Sequence, residues 1–309
     1  IDPEQCIGLL EKIRKNVKDD KSNALINLAC WTLAVRDGNK NLANKYFNDN
    51  NREQLKLLTS DPNERWSQVW KYIFKTISSD KCPTDAGKLS EDIMKIAKNG
   101  KRDDLILISM MMKAIYYHKE SDDNRALEIF ARAGLAPEDK WQISGPYQGK
   151  NDFVYNHAYS PEILKKNPEF IKIKKPAWQK ISGDGLFDGY IDLNTLLGDK
   201  CWATAYAMTY IYSPEDQPVE IRIGSDESFK LWLNDNIVLS RYLERDTPFD
   251  DSTVKVLLHS GYNKLMIKVV NRTFDWGFLC RITDDNGNGI DNITFYHPGE
   301  IDRNYAVKE

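Results

Sequence analysis

Two short stretches, SRYLERDTPFDD (240–251) and NRTFDW (271–276), carry the residue types that recognise a sugar. Sugars lay their apolar faces on aromatic rings while charged side chains bond the hydroxyls, often bidentately. Arg241, Tyr242, Arg245, Arg272, Asp275 and Trp276 supply that combination and form the candidate ligand set. The competing reading has Trp276 opening a strand and filling a core, with the arginines solvated. A third stretch, DDNGNGIDN (284–292), offers hard oxygen ligands at alternate positions, Asp284, Asn286 and Asn288, with Asn292 beyond them, which is the chemistry of a calcium loop. An EF-hand needs a bidentate glutamate at the twelfth position, but Phe295 stands there, so the plainer reading is a turn between two strands. Calcium is the one ion the sequence suggests, with loops such as Asp184 to Asp188 as a second place for it; no other cofactor is expected.

Signatures of catalysis are missing. The sequence has no GxSxG elbow, HExxH, Walker sequence or GxGxxG. His118, His157, His259 and His297 lie far apart without i, i+4 pairing and read as surface or loop residues. Glycoside cleavage needs two carboxylates held a fixed distance apart, which spacing along a chain does not display. Cys6, Cys30, Cys82, Cys201 and Cys280 are scattered without a CxxC pair, arguing against zinc and against a disulfide framework, and the apolar runs around Cys30 and Cys280 make those two core residues. Asn271-Arg-Thr and Asn292-Ile-Thr match the glycosylation tripeptide, a match that arises often by chance.

The elements that must position these residues come in two kinds. Up to about Ala136 the apolar spacing is helical: Ile7, Leu10, Ile13 and Val17, then Leu25, Leu28, Trp31 and Val35. Further helices are predicted from Asp61-Pro62 through Trp66, Trp70 and Ile77, from Thr84 through Ile96, over Asp103 to Tyr117, and over Asp123 to Ala133, closed by Gly134. The last pair resembles a tetratricopeptide-like helical hairpin, although no 34-residue period recurs. After Pro137 the period becomes two, and strands are predicted over Trp141 to Ser144, Trp202 to Tyr212, Val219 to Ile223, Phe229 to Leu233, Val254 to Leu258, Lys264 to Val270, Gly277 to Thr283 and Ile293 to Tyr296. In DESFKLWLNDNIVL (226–239), Phe229, Leu231 and Leu233 fall on one face and Lys230 and Trp232 on the other, before an Asn-Asp-Asn turn. Asn151 to Pro176 reads as a long connection with a short helix. The expected fold class is α+β multidomain: an α-helical repeat-like domain over residues 1–136, then a β-sandwich over 137–309.

At 309 residues, 41% hydrophobic and 29% charged, the chain has room for two folded domains. A net charge of -3 argues against a nucleic-acid partner. No apolar run approaches the roughly 18 residues of a membrane span. A start at Ile1 is that of a mature exported protein or of a fragment of a longer polypeptide.

The order WQISGPY (141–147), SPE (160–162), DGYIDLNTLLG (188–198), TAYAMTYIYSP (204–214), EIRIGSDESFKLWLNDNIV (220–238), STVKVLLHSGYNKLMIKVVN (252–271) and WGFLCRITDDNGN (276–288) resembles a bacterial jelly-roll module. Such modules are related to galactose-binding-like domains and to the sugar-binding-like domain of family 2 glycoside hydrolases, and often follow helical repeats in large exported proteins. The resemblance covers about half the chain. It implies a non-catalytic binding or scaffolding protein of an exported bacterial assembly, with helical pairs contacting protein and the sandwich contacting carbohydrate or protein; a fragment of a glycan-active hydrolase is the alternative. It also implies that Trp232 packs between layers rather than stacking on a sugar.

Overall fold

The computed structural model describes residues 2–47, 73–100, 103–151, 153–166, 177–181, 189–242, 249–273 and 276–301. They fall into two compact units, the first ending at Ile129 and the second beginning at Phe130.

In the first unit, α1 (Pro3–Arg14), α2 (Asp20–Asp37), α3 (Lys40–Tyr46), α4 (Ala86–Gly100) and α5 (Asp103–Lys119) follow the helical period, and residues 73–77 are also helical. The stretch with Trp66 and Trp70 lies outside the described residues. Asp19 caps α2 by accepting from the Ser22 amide at 2.7 Å, and Gly38 ends it at φ +82°, a left-handed position that suits glycine. Trp31 and Phe47 pack ring to ring at 4.9 Å. Where α4 meets α5, Ser90 and Ser109 each donate a hydroxyl to the other's carbonyl, at 2.8 and 2.9 Å, so both buried hydroxyls are satisfied. No described helix is long and apolar enough to cross a membrane.

The second unit starts inside α6 (Asp123–Ala133) and is a β-sandwich. Its strands are β1 (Gln142–Gln148), β2 (Trp178–Lys180), β3 (Tyr190–Asp192), β4 (Ala203–Ser213), β5 (Gln217–Ser225), β6 (Phe229–Leu233), β7 (Asn236–Arg241), β8 (Ser252–Leu258), β9 (Gly261–Asn271), β10 (Gly277–Thr283) and β11 (Thr294–Tyr296). One sheet runs β2-β1-β4-β9-β6-β7, with β11 beside β4, and the other runs β3-β10-β5-β8. Short helices α7 (Phe153–Asn156), α8 (Ser160–Lys166) and α9 (Leu193–Leu197) sit in the connections. Alternation sends Ala205, Ala207, Phe229, Leu231, Ile267 and Val269 of the larger sheet against Ile221, Ile223, Phe278 and Ile282 of the smaller one, forming the core.

The last turn of α6 is tied to β10 and to the loop after it. Gly134, at φ +74°, closes the helix: Leu135 donates to the Phe130 carbonyl, and Ile282 donates to Gly134 at 2.8 Å. Arg281 donates to the Ala133 carbonyl at 2.7 Å and pairs with both oxygens of Asp250. Gly289 approaches so closely that a Cβ there would stand 1.9 Å from the Ala131 oxygen. Gly289→Ala is therefore expected to push the loop off the helix and cost about 1–3 kcal/mol, read by chemical denaturation.

Candidate functional site

The register of the larger sheet gathers four strand ends into one rim. Ala203 pairs with Asn271, and Phe229 pairs with both Val269 and Arg241, so the start of β4, the end of β9, the start of β6 and the end of β7 lie together. Trp202, Arg272, Lys230, Ser240, Arg241 and Tyr242 are the residues brought there. Helix α7 adds Phe153 and Tyr155, and is fixed to the same end by a 3.2 Å bond from the Thr204 hydroxyl to the Val154 carbonyl.

The side chains hold one another. Arg272 donates to the Tyr242 hydroxyl at 2.6 Å while its guanidinium lies 5.0 Å from the Tyr242 ring and 6.0 Å from the Trp202 ring. Tyr155 packs on Tyr242 at 5.0 Å, its hydroxyl shares a 2.6 Å bond with that of Ser240, and the Lys230 ammonium sits 4.6 Å from its ring centre. Both phenols are thus fixed at their tips. Phe153 is 58% exposed, with one face stacked on His157 at 4.6 Å, and Tyr242 is 48% exposed. Glu227, in the turn before β6, accepts the backbone amides of Arg272 and Thr273 and fixes the loop that carries the arginine. Trp202 and Glu227 both have positive φ, +51° and +61°, backbone that side chains with a Cβ rarely adopt and that concentrates at functional loops.

Behind the rim, the outer face of the larger sheet is covered by the chain from β1 to α8. Tyr206, Trp232 and Met266 form a second apolar cluster there, against Tyr147, Tyr159 and Trp178. Trp232, 3% exposed, is buried as expected from the resemblance, but under this cover rather than between the two sheets. Lys268 clamps the cover. Its side chain is fully buried, and its ammonium donates to the Tyr155 and His157 carbonyls at 3.1 and 2.7 Å and to Glu162 at 2.8 Å; the Tyr206 hydroxyl donates to the same Glu162 oxygen. Desolvation, opposed by Glu162, brings Lys268 down to about 8, and burial with the Glu162 charge pushes the Tyr206 phenol up.

Of the sequence-derived ligand set, Tyr242 and Arg272 meet, and exposed Arg241, next to Tyr242 in the chain, donates to the Ser240 carbonyl at 3.4 Å. Arg245 and Asp275 lie outside the described residues. Trp276 has to be withdrawn: it immediately precedes β10, packs in the core between the sheets and is 0% exposed, so no sugar reaches it. Trp202, Lys230, Phe153 and Tyr155 were not anticipated. Asn271 is fully buried and its amide donates to the Lys200 carbonyl at 2.9 Å, which withholds it from glycosylation in the folded chain. In the 284–292 loop, the Asp284 carboxylate accepts from the amides of Asn286 and Asn288 at 2.9 and 2.8 Å, closing a turn. Among the described residues no group of three His, Cys, Asp or Glu side chains is placed to hold a metal. The second calcium candidate, Asp184 to Asp188, lies outside the described residues. Asp284→Ala should lower the melting temperature, because the Asn286 and Asn288 amides lose their acceptor.

No family model and no curated protein matches this sequence. Among solved structures the chain is similar to a β-glucosidase from Kluyveromyces marxianus in complex with glucose, at 12% identity and TM-score 0.32 over 50% of this chain and 18% of that one. It is also similar to the PA14 domain of the MpAFP antifreeze protein, at 15% identity and TM-score 0.29 over 53% and 91%. A third is the epithelial adhesin 9 A domain from Candida glabrata in complex with Galb1-3GlcNAc, at 12% identity and TM-score 0.32 over 54% and 95%. The chain thus spans under a fifth of the length of that glucosidase. Likenesses this distant carry no argument about a ligand, which has to come from the rim itself.

Proposed function

We propose that the second unit is a non-catalytic carbohydrate-binding module of jelly-roll type, working through the rim. The observation that carries this reading is the pairing of exposed aromatic residues, Phe153 and Tyr242, with fixed donors, Arg272 and Lys230, at a single sheet end. Rings of this kind accept the C–H face of a pyranose, and the surrounding polar tips orient it. Among the described residues, Glu162 is engaged by Lys268 and Tyr206, and Glu227 by two backbone amides. That leaves them as supports rather than as an acid and base for glycoside cleavage.

The test is a glycan array with the full chain beside a hydrolysis screen of the glycans it retains. Binding without product release supports the module; accumulation of product would shift the protein to the hydrolase alternative. Tyr242→Ala should abolish the array signal while leaving the melting temperature within a degree or two of the parent, since the ring is half exposed. We read the helical unit as the protein-contacting half of an exported bacterial assembly. Leu9 and Ile13, one turn apart on α1 and 60% and 47% exposed, support a protein-facing helix. Fractionation of the native cells, with the chain found only in the cytoplasm, would overturn the exported part of that reading.

A further inference from the structure

Helix α7 carries two of the rim's rings, Phe153 and Tyr155, yet it is four residues long, and a helix so short has no stability of its own. Its place is set by what satisfies its last carbonyls. The His157 amide donates to the Phe153 carbonyl at 2.8 Å, and the buried Thr204 hydroxyl of β4 donates to that of Val154 at 3.2 Å. The far end is held from β9. Lys268 donates to the Tyr155 and His157 carbonyls at 3.1 and 2.7 Å, the way a cation closes a helix C-terminus. Its third ammonium hydrogen goes to Glu162 at 2.8 Å, so three donors meet three acceptors. The register puts Lys268 in one row with Tyr206 and Lys230, and the Lys230 ammonium lies 4.6 Å from the Tyr155 ring centre. The Lys268 side chain is 0% exposed, so it touches no sugar.

We propose that Lys268, paired with Glu162, is the positioning residue of the rim: it fixes where α7 presents Phe153 and Tyr155, and through them sets the affinity for a saccharide. The inference rests on the carbohydrate-binding reading given above. The route is short. With the Tyr155 carbonyl held, its ring packs on Tyr242 at 5.0 Å and its hydroxyl meets that of Ser240 at 2.6 Å. With the His157 carbonyl held, the imidazole stacks on Phe153 at 4.6 Å. The exposed rings of the rim, Phe153 and Tyr242, are thus each supported by a residue whose backbone Lys268 grips. Thr204 holds only the middle of the helix, through one bond. Glu162 balances the buried charge and aims the ammonium at the two carbonyls.

The experiment uses the full chain and the glycan that the array retains most tightly. Lys268→Met is combined with Glu162→Leu so that no buried charge is stranded, and calorimetric titration is set beside hydrogen exchange over residues 153–157. The paired variant is expected to keep a cooperative melt and protected β4 and β9 amides. Its α7 amides should exchange faster, and its affinity should fall about tenfold, the size of one lost ring contact. Phe153→Ala should weaken the parent by a similar factor and leave the paired variant unchanged, because residues that act through one another do not add. Unchanged affinity in the paired variant, or independent losses from the pair and from Phe153→Ala, would overturn the positioning role and leave the sugar-binding reading standing. Array failure on every glycan would overturn both. If the paired variant loses its cooperative melt, Lys268→Gln with Glu162→Gln replaces it, filling the space with uncharged amides, and is held to the same two comparisons.

Discussion

Replacing Trp232 with alanine should destabilise the second unit by about 3–5 kcal/mol, the range for deleting a large buried aromatic without refilling its space. The side chain is 3% exposed and shares a cluster with Tyr206 and Met266, roofed by Tyr147, Tyr159 and Trp178. Its neighbours come from four strands and the connection before α8, so the cavity has little means of collapsing. Tyr147 stacks on Tyr159 at 4.9 Å and meets Tyr206 edge-on at 5.6 Å, and both contacts lose their support when the indole goes. Denaturant titration of the full chain gives the measurement. A transition superimposed on the parent's would mean that the cover lifts readily and that Trp232 is a surface ring.

Lys268→Met should cost a comparable amount, about 3–5 kcal/mol, because it removes the charge paired with Glu162 and the donor shared by two carbonyls, leaving Glu162 with the Tyr206 hydroxyl. Removing both partners, as Lys268→Met with Glu162→Leu, should cost less than the sum of the two single changes, since neither charge is then left alone. The pH dependence has a defined sign. Folded Lys268 releases its proton near pH 8, whereas in the unfolded chain it holds the proton until about 10.5. Between those values the unfolded state binds more protons, so the stability contributed by this group rises with pH. The desolvation cost is fully present below pH 8. The gap in stability between parent and Lys268→Met should therefore widen from pH 8 to 10.5, and a gap that narrows would refute the burial of the ammonium.

Sequence alone made the strands legible where alternation is long. β4 and β9 pair along eleven residues each, and their inward Ala205, Ala207, Ile267 and Val269 are visible as period two. Segments this short show little period to read: the three-residue β2 and β3 and the five-residue α9 were missed, although the equally short β11 was anticipated within Ile293 to Tyr296. Tyr242 and Arg272 were found by residue type in polar surroundings. Their partners Trp202, Lys230 and Tyr155 were not, since only the register of four strands brings residues so distant in sequence to one rim. Trp276 misled because an aromatic at a strand start looks the same from the sequence whichever face it takes. Lys268 was not singled out in the sequence, where it stands outward between Ile267 and Val269; the available hint was that Met266 and Val270, also outward, are apolar, which signals a second covering layer.

The clamp on that layer also imposes an order of assembly. Glu162 and Lys268 are separated by 106 residues, and the cover precedes β4, β6 and β9, the strands on which it lies, in the chain. During synthesis the covering segment emerges with nothing to rest on, and it cannot be fastened until β9 is made and paired. Loop closure over that span comes at an entropic cost before the buried contacts reward it, which places the fastening among the late and slow events of folding. Until then Tyr206, Trp232 and Met266 stay open to solvent, so the interval before β9 pairs is when the nascent unit most needs a chaperone.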